Sequence, residues 1–256
     1  MRILLLVILI PAFSWMAKAQ TADHAFDTIQ FNKQLEFVKH LCVYEFYTLQ
    51  VVDKFNKLPE TADLEWFNFQ ENKIWHSVGG HSKGNKFIIK KHVTIDSLST
   101  ISDYKGISDT SKLNTLGTAL SIADSNFQIV RDTCRIYFNS FVINNADQTI
   151  SIWYLPAFQP SGQAIYGCEW EYIFDKTGGN LIGQNSYSGI VTGVWIGQPR
   201  ELWLNYRNTD KPTIGSIFFA LSFHDYFTRI RIDTRISTST TTRDSTGNYI
   251  WTHKLK

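Results

Sequence analysis

Phe141-Val142-Ile143-Asn144-Asn145-Ala146-Asp147-Gln148-Thr149-Ile150-Ser151-Ile152-Trp153-Tyr154-Leu155 is the stretch on which the fold turns. Its two arms are rich in β-branched and aromatic residues, which fit a pleated, packed surface. Asn144-Asn145-Ala146-Asp147 between them supplies turn residues, and Pro156 stops the second arm by removing a ladder donor. The pattern predicts a β-hairpin, and the chain around it repeats the pattern.

Downstream, Cys168 to Phe174 and Asn180-Leu181-Ile182 flank Asp175-Lys176-Thr177-Gly178-Gly179, a second hairpin whose glycines suit a tight turn. Ser188 to Ile196 reads as a further strand. Ile217 to Phe223 is an apolar run, with His224 read as the exit of a buried strand. In Arg229-Ile230-Arg231-Ile232-Asp233 the isoleucines share one face and the charges the other. Ser237 to Thr242 suits a polar edge strand, and Asp244-Ser245-Thr246-Gly247 turns the chain into Asn248 to Trp251. Upstream, Leu64 to Phe69, Lys73 to Val78 and Phe87 to Ile95 read as strands, with Gly79-Gly80 as a turn. Ser97 to Lys112 reads as a loop and Leu113 to Ala123 as a short helix.

The first part of the chain has a different period. Phe31, Leu35, Val38, Leu41, Cys42, Leu49, Val52 and Phe55 recur at steps of three and four within a helical pattern from Phe26 to Leu58, which predicts one long helix over 28–57. Asp27 followed by Gln30 suits its start, and Pro59 suits its end. The expected class is α+β: a long N-terminal amphipathic helix packed on a large, mainly antiparallel β-sheet.

Residues 1–19 carry an address. Met1-Arg2 is basic, Ile3 to Ile10 is an unbroken apolar run, and Ala17-Lys18-Ala19 is a small-x-small cleavage pattern. This reads as a cleavable secretory signal, too short for a membrane span, which needs about 20 apolar residues. The expectation is a mature chain of residues 20–256 forming a single globular domain, periplasmic or secreted, with no transmembrane anchor after cleavage. Losing Arg2 and Lys18 takes the formal net charge from +2 to zero. Nucleic acid demands clustered positive charge, so it is not an expected partner.

Export permits disulfides, and the three cysteines allow one internal bridge. Cys42 lies in the helical pattern. Cys134 and Cys168, both read in strand-like segments, are the candidate pair.

Motifs for chemistry are sparse. There is no Gly-x-Ser-x-Gly, phosphate loop or dinucleotide fingerprint, and no cofactor is expected. Ser222, His224 and Asp225 lie too close in sequence to form a relay by themselves. His76 and His81 flank the Gly79-Gly80 turn, with His92 on the following strand. Together with Glu169 or Glu171, two apart on one strand, they form the alternative, metal-dependent reading of an exported hydrolase. The favoured expectation is a non-catalytic binding or structural domain of the cell envelope or secreted space. Its candidate surface for an extracellular or periplasmic ligand is an aromatic platform of Trp153, Tyr154, Trp170 and Tyr172.

Overall fold

The computed structural model describes residues 25–61, 63–84, 86–106, 109–187, 189–197 and 199–256. The expected signal, residues 1–19, lies outside them. The architecture is mixed α+β and rich in mostly antiparallel strands. Among the described residues no helix is long and apolar enough to cross a membrane.

Helix α1 (Thr28–Phe55) starts where the Asp27 carboxylate accepts the Gln30 N–H at 2.9 Å, satisfying one of the orphan donors of a helix start. Its buried stripe is Phe31, Val38, Leu41, Tyr44, Val51 and Phe55. Leu49, expected on that stripe, is 59% exposed. Tyr44 and Val51 take the inward positions instead.

A first antiparallel sheet follows in sequence order: β1 (Glu65–Glu71), β2 (Ile74–Lys83), β3 (Lys86–Ile95) and β4 (Ile101–Asp103). Gly79-Gly80 is not a turn. It lies inside β2, at a register shift against β3. A Cβ on Gly79 would stand 2.9 Å from the Trp66 ring, and one on Gly80 would stand 2.4 Å from the Ile88 carbonyl oxygen. The pair is there for close approach within a bulged strand.

Helix α2 (Thr110–Cys134) is capped by Asp109, which accepts the Lys112 N–H at 3.0 Å. It ends at Arg135 in the left-handed conformation. It runs well past the expected Ala123, because Phe127 extends the buried row of Leu116, Leu120 and Ala123. Cys134 is therefore the last residue of a helix rather than part of a strand.

The second sheet is β5 (Phe138–Asn144), β6 (Ile150–Pro156), β8 (Trp170–Phe174) and β9 (Leu181–Ser186), in that order. The opening hairpin is its β5–β6 pair, with Phe141 opposite Trp153. Between β6 and β8, strand β7 (Gln163–Tyr166) leaves to pair with β10 (Thr192–Trp195). The last sheet joins β11 (Arg200–Tyr206) in parallel to β12 (Phe227–Thr234), then antiparallel to β13 (Ser237–Arg243) and β14 (Tyr249–Leu255). Helix α3 (Ile214–Ser222) makes the parallel connection. The apolar run expected from Ile217 is thus helical, and His224 follows it in a 3₁₀ turn. A short run that is apolar all round does not reveal its period.

The strands divide among four sheets rather than forming one large one. Tyr44 explains part of this division. Its hydroxyl accepts the backbone N–H of Asn68 on β1 at 2.8 Å and of Val142 on β5 at 3.2 Å. Those donors meet a helix side chain and not a neighbouring strand. Two cores result. One packs α1 and α3 against Trp66, Trp75, Phe141, Trp153, Ile230 and Ile232. The other packs α2 against the opposite faces, through Phe67, Val78, Ile152, Tyr154, Tyr172 and Phe174.

Candidate functional site

Strand pairing sets up one row of side chains on the α1 side of the second sheet. Phe141 lies opposite Trp153, Trp153 opposite Glu171, and Glu171 opposite Asn185. Glu171 is buried, with both oxygens engaged. Ser151 donates to one at 2.9 Å; Asn185 and Tyr187 donate to the other at 2.8 Å and 3.0 Å. These bonds fix Tyr187, whose ring stacks on Trp153 with centroids 5.4 Å apart and planes 17° apart. Phe37 of α1 approaches Trp153 from another direction at 6.0 Å.

Above these rings lies a pocket of about 520 Å³. Phe37, Trp153 and Tyr187 give it an aromatic floor. Gln30, Lys33 and Gln34 of α1 form one rim, and Asp210, Lys211 and Thr213 form the other. The rims are tied together where Lys211 bonds Gln30 and reaches Asp27 at 3.5 Å. A second pocket of about 350 Å³, lined by Phe26, Phe31, Ile236 and Leu255, shares Gln34, Asp210 and Lys211 with the first. The two adjoin along the N-terminal half of α1, and the first, with its aromatic floor, is the candidate groove.

Glu169 sits behind this wall. It is fully buried and packs so tightly on the first turn of α3 that a Cβ on Gly215 would stand 1.9 Å from its Cγ. Tyr206 and Thr213 donate to its Oε1, while Oε2 has no partner among the described residues. Burial pushes its carboxyl up to about 7. Its backbone carbonyl accepts the Tyr187 N–H at 3.2 Å. Tyr206 also accepts the Gly167 N–H at 3.2 Å, and burial raises its hydroxyl well above the usual tyrosine range.

The four aromatics expected to form a platform do not share a face. Trp153 faces α1. Tyr154, Trp170 and Tyr172 belong to the opposite face and pack in the α2 core. Phe127 covers Tyr154 at 4.0 Å, and the Tyr154 hydroxyl donates to Asp124 at 2.9 Å. On the other face Glu171 is buried as well, and the preceding Glu169 is packed against the first turn of α3.

The histidine set is also divided. His76 pairs with His92 rather than with His81: His76 Nδ1 and His92 Nε2 are 3.0 Å apart. His81 is exposed farther along β2, and Glu169 and Glu171 belong to another sheet. Among the described residues no group of three or more His, Cys, Asp or Glu is placed to hold a metal. Asp225 is paired with Arg243 at 2.6 Å, the His224 ring stands edge-on to Tyr249, and the Ser222 hydroxyl contacts the Cys42 sulfur at 3.9 Å. These three residues form no relay.

No family model matches the chain, and comparison with curated proteins and with solved structures finds no match.

Tyr187, Phe37 and the 209–213 segment escaped the sequence reading. Tyr187 stands in a stretch rich in Asn, Ser and Gly with no periodicity. Only the β6–β8–β9 register brings it to Trp153.

Proposed function

We propose that this protein is an exported, non-catalytic binding protein that takes a carbohydrate-like ligand in the groove beside α1. The observation that carries this reading is the Phe37–Trp153–Tyr187 floor beneath a polar rim of Gln30, Gln34, Lys33, Lys211 and Asp210. The C–H face of a pyranose ring packs on aromatic rings, whose apolar bodies bury well and whose polar tips stay bonded. Its hydroxyls need donors and acceptors around the edge, and Gln30, Gln34 and Asp210 offer both. An apolar floor with a few convergent polar groups is the usual form of a small-ligand site.

Hydrolysis would require a carboxyl group open to the groove and free to move a proton. Glu171 has both oxygens committed, and Glu169 is sealed beneath α3. Asp210 does line the groove and Asp27 the adjoining pocket, but the Gln30 N–H holds Asp27 and the Arg235 guanidinium holds both Asp210 oxygens below the usual carboxylate range, so neither carries a proton to give. This favours binding over catalysis. Export rests on the residue 1–19 pattern; an intact mass beginning at Gln20 is the expected result, and a mass retaining residues 1–19 would overturn it.

The test of binding is titration of the mature protein with a panel of mono- and oligosaccharides, followed by tryptophan fluorescence and thermal shift. A ligand at 100 times its Kd stabilises the native state by about 2.7 kcal/mol. Phe37→Ala and Tyr187→Ala are expected to weaken binding about tenfold or more. A panel that moves neither signal overturns the carbohydrate reading, as does binding indifferent to both substitutions.

A further inference from the structure

Cys134 closes α2, and Cys168 immediately precedes the buried Glu169. Their sulfur atoms lie 2.9 Å apart although 34 residues separate them in sequence. That is too close for two thiols that merely pack, and small side-chain rotations bring them to the roughly 2 Å of a formed bond. Cys42, the third cysteine, is set apart. Its sulfur contacts the Ser222 hydroxyl at 3.9 Å, and burial pushes its thiol up to about 12, where it is inert to exchange.

The geometry points to a Cys134–Cys168 disulfide that braces the wall of the groove. The consequence for the groove rests on the binding reading above; the bond itself does not. Cys134 is half-buried, so its sulfur is the one an external donor reaches. The donor is a protein disulfide of the thiol–disulfide exchange class. The Cys134 thiolate attacks one donor sulfur, the donor S–S bond breaks, and one donor thiolate leaves. The Cys168 thiolate then attacks the Cys134 sulfur and expels the second donor thiolate. The two protons lost by the cysteines pass to the donor thiols, so the donor is reduced as the pair is oxidised.

The brace acts through a short path. Cys168 holds φ at 59°, a left-handed conformation that costs a non-glycine residue energy and needs holding. The next residue, Glu169, offers its carbonyl to the Tyr187 N–H, and Tyr187 forms the groove floor. A crosslink from α2 to residue 168 therefore restrains the backbone on which Tyr187 hangs.

Two measurements test this without any ligand. Protein recovered from an oxidising compartment is denatured and alkylated without reductant. Only Cys42 is expected to be modified, with all three cysteines modified after reduction. Three alkylated cysteines before reduction overturn the bond. Hydrogen exchange at the Tyr187 amide is then compared between oxidised and reduced wild type and in Cys134→Ser. Exchange about tenfold faster without the bond, with α1 amides unchanged, is the expected result. If Cys134→Ser fails to fold, reduced wild type supplies the comparison. Equal Tyr187 exchange in both redox states overturns the brace. A failed sugar titration bears on neither readout, so the two readings fall separately.

Discussion

The Tyr187 hydroxyl donates to the Glu171 carboxylate at 3.0 Å, which ties the floor of the groove to the middle of the second sheet. The same oxygen accepts from Asn185, and the other accepts from Ser151. A buried carboxylate satisfied from three sides holds its donors in one arrangement.

That arrangement gives the first prediction. Tyr187→Phe in the wild-type background removes a charge-assisted hydrogen bond and costs about 1.5–3 kcal/mol in urea melts. In a Glu171→Ala background the hydroxyl has no carboxylate to lose, and the same change costs close to nothing. The coupling between the two is therefore expected at about 1.5–3 kcal/mol. Strictly additive effects would show that Glu171 does not position Tyr187.

The second prediction concerns pH. Burial pushes Glu169 and Glu45 up to about 7, so between about 4.5 and 7 the folded protein holds protons that the unfolded chain has released. Their contribution is complete below about 4.5 and is lost as the pH rises through 7. His92 acts in the opposite sense. Burial, with the His76 charge adding to it, pulls His92 down to about 4, so its contribution grows as the pH rises from 4 towards 6.5. The wild-type profile is flattened by these opposing slopes. Glu169→Gln, which mimics the protonated carboxyl, removes one of them. Its stability relative to wild type is expected to rise by on the order of 2–3 kcal/mol between pH 5 and pH 8. Parallel wild-type and Glu169→Gln profiles would refute the buried titration.

The third prediction separates two kinds of glycine. A Cβ on Gly80 would meet the Ile88 carbonyl oxygen at 2.4 Å and the Phe87 ring at 2.5 Å, and a backbone atom cannot step aside cheaply. Gly80→Ala is expected to cost about 2–4 kcal/mol. Gly84 has open space around it but takes φ at +60°, so Gly84→Ala is expected to cost only about 1 kcal/mol. Equal costs in thermal or urea melts would show that β2 and β3 do not approach as described.

The glycine pair also shows where sequence reasoning stops. The α+β class and the antiparallel hairpins were legible, because turn residues and alternation are local signals. The Asp27 cap is local too, closing on Gln30 three residues on. Gly79-Gly80 looks like a turn to any local reading, and only Trp66, Phe87 and Ile88 on neighbouring strands reveal why it is needed. Leu49 was misplaced because several 3.6-period stripes fit α1, and tertiary packing chose the one through Tyr44 and Val51. The candidate site was legible only at Trp153. Its partners come from α1, the residue just past β9 and the segment after β11, and a row assembled across strands leaves no trace in sequence spacing.

The final prediction concerns His76 and His92. Their ring nitrogens are 3.0 Å apart, so one ring donates to the other and a lone pair is already used. Phe69 stacks on His76 at 4.8 Å, and Tyr104 lies 4.3 Å from His92. Burial lowers both rings below the usual histidine range, so both are neutral at pH 7. Glu71, the carboxylate whose charge acts on both, is held by Lys112 at 2.7 Å. A divalent ion would have to break the ring-to-ring bond and draw Glu71 from its lysine. We therefore expect no stoichiometric zinc in the purified protein and no change in melting temperature with chelator. His81→Ala, at an exposed position, is expected to leave stability within about 0.5 kcal/mol of wild type. His92→Ala removes the ring that His76 bonds and is expected to cost about 1–3 kcal/mol. Stoichiometric zinc that disappears in His76→Ala would reverse this assignment and make the aromatic-lined histidine pair a metal site.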